Sequence, residues 1–330
     1  MAKPGVKQPE VTGSGARGEK VGFGRWDFVK LAPLMGGISA IATVISLLVI
    51  FGKGFNYGID FAGGTEVQVK FAQKTDASEL RKYTESIGLK NTSVQSFGDQ
   101  NEFLIRMESV KSGTDKENAE VERTDVKKLT TGLKEKYQLG GDAIRRIDTV
   151  GPQVGSELKR NGLLAAFYSF LVILIYVAIR FDYKYAPGAV VCLIHDSIFT
   201  LGIFAILGRE VNVQIMAAVL TLIGYSLNDT IVTYDRIRET YPHYRDRGLK
   251  FIINKAVNDM LGRTILTAGC TLMAVTSLYL LGGGVISDIG FTLVIGIVIG
   301  TYSSVYVAAP LILVMDALNS KKIKTSAVPA

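Results

Sequence analysis

Six long apolar stretches constrain this 330-residue chain more than any other feature of its sequence. A helix needs about 20 mainly apolar residues to cross the hydrocarbon core of a bilayer, and every stretch is close to that length or longer. We therefore predict an α-helical polytopic membrane protein. The six predicted transmembrane helices cover residues 31–51, 161–179, 186–207, 211–234, 264–281 and 289–315.

The tract between the first two apolar stretches, residues 52–158, has the composition of a soluble domain. Up to residue 155 it carries 16 Lys and Arg against 16 Asp and Glu, so it is neutral. It contains neither His nor Cys, and its acids show no metal-ligand spacing. An enzymatic site is not expected there. A binding or lever module is favoured over a purely structural cap.

Local patterns within this tract predict its fold. Val67, Val69 and Phe71 alternate along the chain as in a half-buried strand. Asp76 and Glu79 have the spacing of a capping box at the start of a helix. The predicted order of elements, β-α-β-β-α-β, is that of a ferredoxin-like α+β domain.

The net charge of +7 lies mainly outside this neutral domain. Cytoplasmic segments of membrane proteins hold the excess of Lys and Arg. We therefore predict that both termini are cytoplasmic, that the domain is extracytoplasmic, and that the first helix is a retained anchor. A nucleic-acid partner is not expected. The cytoplasmic basic segments are a tail over 1–30, a connection over 180–185, an amphipathic loop over 235–262 and a tail over 316–330.

The loop over 235–262 has an apolar side made by Leu249, Ile252, Ile253 and Val257. A basic segment with such a side is typical of a helix that lies on the membrane surface.

Glycine-rich junctions flank the soluble domain on both sides. Glycine permits tight turns with positive φ, and proline fixes its own φ. Ordinary turns and hinges that let the domain swing both fit this composition. The candidate hinge residues are Gly58, Gly63, Gly64, Gly151, Pro152 and Gly155.

Polar residues inside the fourth and fifth apolar stretches form the main candidate site. Asn228 and Asp229 lie within the fourth stretch, and Arg263 opens the fifth. A charged residue in a membrane helix costs about 2.5–3.5 kcal/mol on insertion scales, so it is usually paired or functional. One interpretation is a static Asp229–Arg263 ion pair. The favoured one is a carboxylate that gains and loses a proton as the bundle changes shape.

Other polar residues of the membrane segments are weaker candidates. His195 and Asp196 are either relay components or helix–helix hydrogen-bonding groups. Thr267 continues a polar face below Arg263 on the fifth helix. Gly296 and Gly300 have GxxxG spacing, which favours close helix packing.

The sequence lacks the motifs that would indicate nucleotide binding or cysteine chemistry. There is no GxxxxGK[ST] run for nucleotide phosphates, and Cys192 and Cys270 both fall in apolar stretches, where they are expected to pack. We expect a protein that is not an enzyme and that needs no cofactor or metal. The expected coupling ion is H⁺, with Na⁺ possible because Asn228 beside Asp229 supplies oxygen ligands.

Six stretches of the chain are characteristic in their order and spacing: GIDFAGGTE, GPQVGSEL, LIHDSIFTLG, GYSLNDTIVTYDRIRET, GRTILTAGCT and GGGVISDIGFTLVIGIVIGTYSSVY. Together they resemble the SecF members of the SecD/SecF protein-export family, within the resistance-nodulation-division superfamily. The resemblance covers residues from about 26 to 315.

The resemblance implies a function in the inner membrane of a bacterium, with residues 52–158 in the periplasm. It implies that Asp229 and Arg263 belong to a proton-conducting pair and that the ion gradient promotes translocation and release of exported chains. The implied partners are SecD with six further helices, the SecY–SecE–SecG channel, YajC, the unfolded translocating polypeptide and membrane lipid. The alternative is a half-size exporter of small molecules or lipids from the same superfamily.

Overall fold

The structure is a computed structural model, and it describes residues 26–89, 92–96, 101–108, 115–181 and 186–326. The predicted tail up to residue 25 and most of the connection at 182–185 lie outside these residues. The membrane helices are α1 (Phe28–Lys53), α5 (Pro152–Arg180), α6 (Ala186–Leu207), α7 (Val213–Thr240), α8 (Leu249–Leu281), α9 (Gly284–Ser303) and α10 (Ala309–Ser326). The other elements are β1 (Asn56–Tyr57), α2 (Ile59–Ala62), β2 (Gly64–Lys70), α3 (Ala77–Ser86), β3 (Thr92–Ser96), β4 (Glu102–Met107), α4 (Asp115–Tyr137), β5 (Ile144–Val150) and β6 (Glu210–Val211).

Among the described residues, six helical spans are long and apolar enough to cross a membrane, as the sequence predicts. The sixth is continuous from Gly284 to Leu318, because a π-helical turn over Ser304–Ala308 joins α9 to α10. We call the end of the bundle that carries the soluble domain the domain end, and the opposite end, with residues 241–248, the loop end. The chain is thus a polytopic membrane protein.

Several helices run past their predicted ends, and the largest difference concerns the predicted loop over 235–262. It is mostly helical: α7 continues to Thr240, and α8 begins at Leu249 rather than at 264. The predicted tail over 316–330 likewise begins as helix, since α10 reaches Ser326. Hydropathy predicts where a helix leaves the lipid. The helix itself can continue further, because its backbone hydrogen bonds do not depend on lipid.

Packing explains why the first part of α8 is helical. Ile252, Ile253 and Val257 are 0–3% exposed, and they lie in one apolar cluster with Tyr234 and Ile237 of α7. The predicted apolar side therefore exists, but it packs on the protein rather than on the membrane surface.

The soluble domain has the predicted ferredoxin-like fold. Its four-stranded sheet has the order β3-β4-β2-β5 with antiparallel neighbours, as the β-α-β-β-α-β arrangement requires. The alternation in β2 is confirmed, because Val67 and Val69 are fully buried. They pack in one cluster with Leu80 of α3 and Leu129 of α4.

A second, parallel pairing ties the domain to the bundle. Strand β1 follows α1 and pairs with β6, which lies between α6 and α7. Arg106 of β4 forms an ion pair with Glu210 of β6 and another with Glu66 at 3.2 Å. Its Nη1 also donates to the carbonyl oxygen of Tyr57 at 3.1 Å. The sequence patterns did not predict this anchor.

The two glycine-rich junctions lie against each other. Gly63 has φ +76°, and a Cβ there would lie 3.0 Å from Cα of Pro152. A Cβ on Gly155 would lie 3.2 Å from the amide nitrogen of Gly63. Both glycines therefore permit a close approach of backbones at the start of α5, whereas Gly151 faces open space.

Candidate ion-coupling site in the membrane bundle

Asp229 occupies a buried position inside α7. Asp229 is 5% exposed, and its Oδ2 atom has no hydrogen-bond partner among the described residues. It lies eleven residues before the end of α7 at Thr240, or about 16 Å along the helix axis. A carboxylate with an unsatisfied oxygen at such a position is costly, which marks it as a candidate functional group.

Arg263 lies on the neighbouring helix, α8. The sequence predicted that the helix begins at Arg263, but it begins at Leu249. Arg263 comes fourteen residues after Leu249, about 21 Å from the helix start. Its positive charge acts electrostatically on the Asp229 carboxylate. No ion pair within 4.0 Å joins the two side chains in the described part of the chain. A static Asp229–Arg263 salt bridge is therefore not the arrangement observed.

The space around Arg263 opens toward the loop end. A cavity of about 520 Å³ is lined by Arg263 together with Asp235, Arg236 and Glu239 of α7. Arg236 donates to Glu239 at 2.8 Å and to Asp259 at 2.7 Å, so its charge is neutralised locally. Arg263 thus lies on a polar path between the membrane interior and the loop end.

The remaining candidates on α7 and α8 lie on an exposed face. Asn228 is exposed, and no hydrogen bond joins its side-chain amide to another described residue. Thr267 is exposed too, and its hydroxyl donates to the carbonyl oxygen of Arg263 at 2.9 Å. Tyr225 links the two helices, because its hydroxyl lies 3.5 Å from the carbonyl oxygen of Thr267. These polar groups are turned away from the centre of the bundle.

Asp196 lies at the centre of a hydrogen-bonded cluster that joins three helices. Its Oδ2 atom accepts from Ser226 of α7 at 2.6 Å and from Ser303 of α9 at 2.8 Å. Its Oδ1 atom lies 2.9 Å from Nδ1 of His195. Cys192, one turn earlier on α6, donates to Ser303 at 3.2 Å. We call these five residues the Asp196 cluster. Of the predicted pair, Asp196 hydrogen-bonds to two other helices, whereas the printed contact of His195 is with Asp196 of its own helix.

Sequence reasoning missed Ser226 and Ser303 as partners of Asp196. Ser303 follows the Gly296 and Gly300 pair on α9, and Ser226 lies three residues before Asp229, on a similar side of α7. Gly300 brings the helices together, since a Cβ there would lie 3.0 Å from Cβ of Ser226. The predicted role of Gly300 in close packing agrees with this geometry. Which residue it packs against required the tertiary structure.

The chemistry available to these residues is proton or cation binding. Asp229 offers an unsatisfied carboxylate oxygen, and Arg263 offers a permanent positive charge that cannot titrate. Among the described residues, no group of three or more His, Cys, Asp or Glu could hold a metal ion.

The fold and the site define a class of polytopic membrane protein. Its features are six membrane spans, one ferredoxin-like domain inserted after the first span, and a polar pair between α7 and α8. Comparisons place the chain within that class. The family described as "Protein export membrane protein SecD/SecF, C-terminal" matches residues 130–318, and the SecD/SecF GG motif matches residues 48–75. The chain belongs to the SecD/SecF family of protein-export membrane proteins, among its SecF members.

Curated relatives agree over most of their length. Protein translocase subunit SecF of Magnetococcus marinus is 45% identical over 84% of this chain and 88% of its own. The subunit of the same name from Calditerrivibrio nitroreducens is 41% identical over 89% of this chain and 95% of its own. Family membership makes the chain a membrane subunit of the Sec export machinery.

A solved structure gives the same fold. The crystal structure of SecDF, described as a translocon-associated membrane protein from Thermus thermophilus, matches with a TM-score of 0.78 and 31% identity. The match covers 89% of this chain but only 39% of the solved one. The chain thus corresponds to about two fifths of that protein.

Proposed function

We propose that this subunit uses the ion gradient across the membrane to promote translocation and release of exported polypeptides. The observation that carries the proposal is the pair made by Asp229 and Arg263. One is a buried carboxylate with an unsatisfied oxygen, and the other is an exposed arginine that is near but not bonded to it. Family membership favours polypeptides as the cargo over the small molecules or lipids of the alternative exporter.

In the proposed mechanism, Asp229 carries the proton and Arg263 drives its release. A low-dielectric surrounding favours the neutral carboxyl, whereas a nearby guanidinium favours the ionised one. A movement of α8 toward α7 would release the proton, and a movement away would allow the next one to bind. Asn228, next to Asp229, is proposed to assist as a hydrogen-bonding group or as an oxygen ligand if the ion is Na⁺.

The proposed orientation places the loop end in the cytoplasm of a bacterium and the soluble domain in the periplasm. Among the described short connections between membrane helices, the loop end carries Arg245 and Arg247 and the domain end carries Arg209. This excess at the loop end agrees with a cytoplasmic loop end under the positive-inside rule. With that orientation, the cavity beside Arg263 opens to the cytoplasm. The multi-pass protein would then lie in the inner membrane with both termini inside.

The proposed partner is SecD, supplying a second six-helix half. Two facts support it: the chain corresponds to 39% of a solved SecDF chain, and Asn228 and Thr267 lie on an exposed face that a second half could cover. Contacts with the SecY–SecE–SecG channel, YajC and the unfolded exported chain are proposed from family membership. No cofactor is proposed beyond the coupling ion.

The test is export into inverted membrane vesicles together with ion flux in reconstituted vesicles, each with H⁺ and Na⁺ gradients varied separately. Asp229→Asn should abolish gradient-dependent stimulation, because the amide cannot carry a proton. The matched control is Asp246→Asn, which alters an exposed acid of the loop-end connection that does not line the cavity beside Arg263. Unchanged stimulation in Asp229→Asn would refute coupling through this residue.

We also propose that the junction of Gly63, Gly64, Pro152 and Gly155 is the pivot of the soluble domain, with Gly58 beside it. Ala at position 63 must adopt a positive φ that is essentially restricted to glycine and must displace Pro152, at a cost of about 1–3 kcal/mol. Gly63→Ala should therefore slow export at temperatures where the protein stays folded. Gly151→Ala is the control, since its Cβ meets open space. Equal export by both variants would count against a pivot at Gly63.

A further inference from the structure

An apolar groove runs along the membrane face of the bundle, away from Asp229 and Arg263. Its walls are α1, α6 and α10, and its volume is about 780 Å³. Ala32, Gly36, Ala40 and Val44 recur every four residues along the α1 wall, so a single face of that helix forms one side. We call this space the α1 groove. The residues that face it from α6 include Val191, Ile194 and Ile198.

The dimensions of the α1 groove limit what can fill it. On α1 it extends from Val29 to Val44, a distance of about 22 Å along the axis. That length exceeds one leaflet of the hydrocarbon core, which is about 15 Å. Most of the side chains that line it are apolar, and it runs from the loop end toward the middle of the span, as the acyl chain of a lipid in that leaflet does. A single extended hydrocarbon chain therefore matches the groove in length and in chemistry.

Polar groups around the groove are satisfied with few exceptions. The Ser39 hydroxyl donates to the Tyr302 hydroxyl at 3.0 Å, and Thr43 donates to the carbonyl oxygen of Ser39 at 2.8 Å. The side chain of Lys250, at the loop end, lines the groove and forms no hydrogen bond or ion pair with any other described residue. His195 forms part of the inner wall, and its Nε2 atom has no partner among the described residues.

We propose that the α1 groove binds a phospholipid with an anionic headgroup from the leaflet at the loop end. One acyl chain lies between α1 and α6, and the headgroup phosphate pairs with Lys250. Charge complementarity selects an anionic headgroup, because Lys250 is an unpaired cation at the mouth of an otherwise apolar groove. The inner end of the acyl chain reaches the His195 ring, which is bonded to Asp196. The bound lipid thus becomes a structural neighbour of the Asp196 cluster.

The first test fills the groove. A Cβ at Gly36 or at Gly37 meets no atom within 4 Å, but only Gly36 lines the groove. Gly36→Leu should lower the binding of phosphatidylglycerol to the full chain about tenfold, the loss expected when two methylenes are displaced. Gly37→Leu makes the same change in composition and helix propensity and should bind as the parent does. Native mass spectrometry of the purified chain, titrated with phosphatidylglycerol, measures both.

The second test concerns the headgroup. The parent should prefer phosphatidylglycerol over phosphatidylcholine, and Lys250→Glu should reduce that preference about fivefold or more. Lys30→Glu is the control, because Lys30 is exposed near the same end of α1 but does not line the groove. Equal binding by the Gly36 and Gly37 variants would overturn the proposal, as would equal effects of the two lysine changes. A photoreactive residue at position 40 that cross-links to a polypeptide instead of lipid would also overturn it.

Discussion

Two aspartates are buried in the same helical bundle, yet their surroundings differ. Asp196 is 1% exposed, and its two oxygens contact one imidazole and two hydroxyl groups. Asp229 is 5% exposed, and one of its oxygens has no partner among the described residues. A fully bonded acid holds its helices in one arrangement, whereas an unsatisfied acid favours a change of charge or position. Neighbours, more than depth, decide which role a buried acid serves.

The largest expected difference between the two aspartates is in stability. Asp196→Ala leaves two hydroxyls and one imidazole without their acceptor, and it should lower the free energy of unfolding by about 2 kcal/mol. Asp229→Ala removes a carboxylate whose Oδ2 is unsatisfied, so it should cost nothing or stabilise. Thermal unfolding in detergent measures both variants. Equal destabilisation would show that Asp229 is as well bonded as Asp196.

A smaller effect is expected for one hydroxyl of the Asp196 cluster. Ser303→Ala removes the 2.8 Å bond to Asp196 and should cost about 0.6–1 kcal/mol, as interhelical hydrogen bonds in membranes do. Ser304→Ala is the matched control, because that hydroxyl is also buried but donates only to the carbonyl oxygen of Thr301 in its own helix. If the two variants melt together, the bond to Asp196 contributes nothing to stability.

The smallest expected effect is on the pH dependence of stability, and it concerns Glu210. This buried acid lies outside the membrane and is paired with Arg106. Burial raises the pKa of the Glu210 carboxyl above its ordinary value of 4.5, and the Arg106 guanidinium opposes that rise. The folded state therefore holds this proton more tightly than the unfolded state does. Stability should fall as the pH rises from about 4.5 through the folded pKa, and then become level.

Glu210→Gln should remove this part of the pH dependence, which thermal unfolding at a series of pH values can measure. Glu85→Gln is the control, because Glu85 is exposed on α3. An unaltered pH profile in Glu210→Gln would mean that the carboxyl titrates alike in both states.

The soluble domain was easier to predict than the bundle, and the reason is the solvent. Water on one side of β2 forces its residues to alternate, so Val67 and Val69 could be assigned to the core from the sequence. A membrane helix is apolar on the lipid side and on the packed side alike, so its pattern does not reveal its neighbours. The partners of Asp196 were missed for that reason. The predicted start of α8 was wrong for a related reason. Hydropathy does not identify the part of a helix that extends beyond the lipid and packs on protein.

By itself, the sequence determined six membrane spans, the ferredoxin-like domain between the first two, and the presence of Asp229 and Arg263 in the membrane. Local composition and periodicity are enough to predict these features. Each residue contributes separately to the free energy of transfer into lipid and to the alternation of a strand. Only the tertiary structure decided that Asp196 is bonded on both oxygens, that Asp229 is not, and that Arg106 ties the domain to β6. Such contacts depend on how distant helices are rotated against each other, and short-range pattern does not encode that rotation.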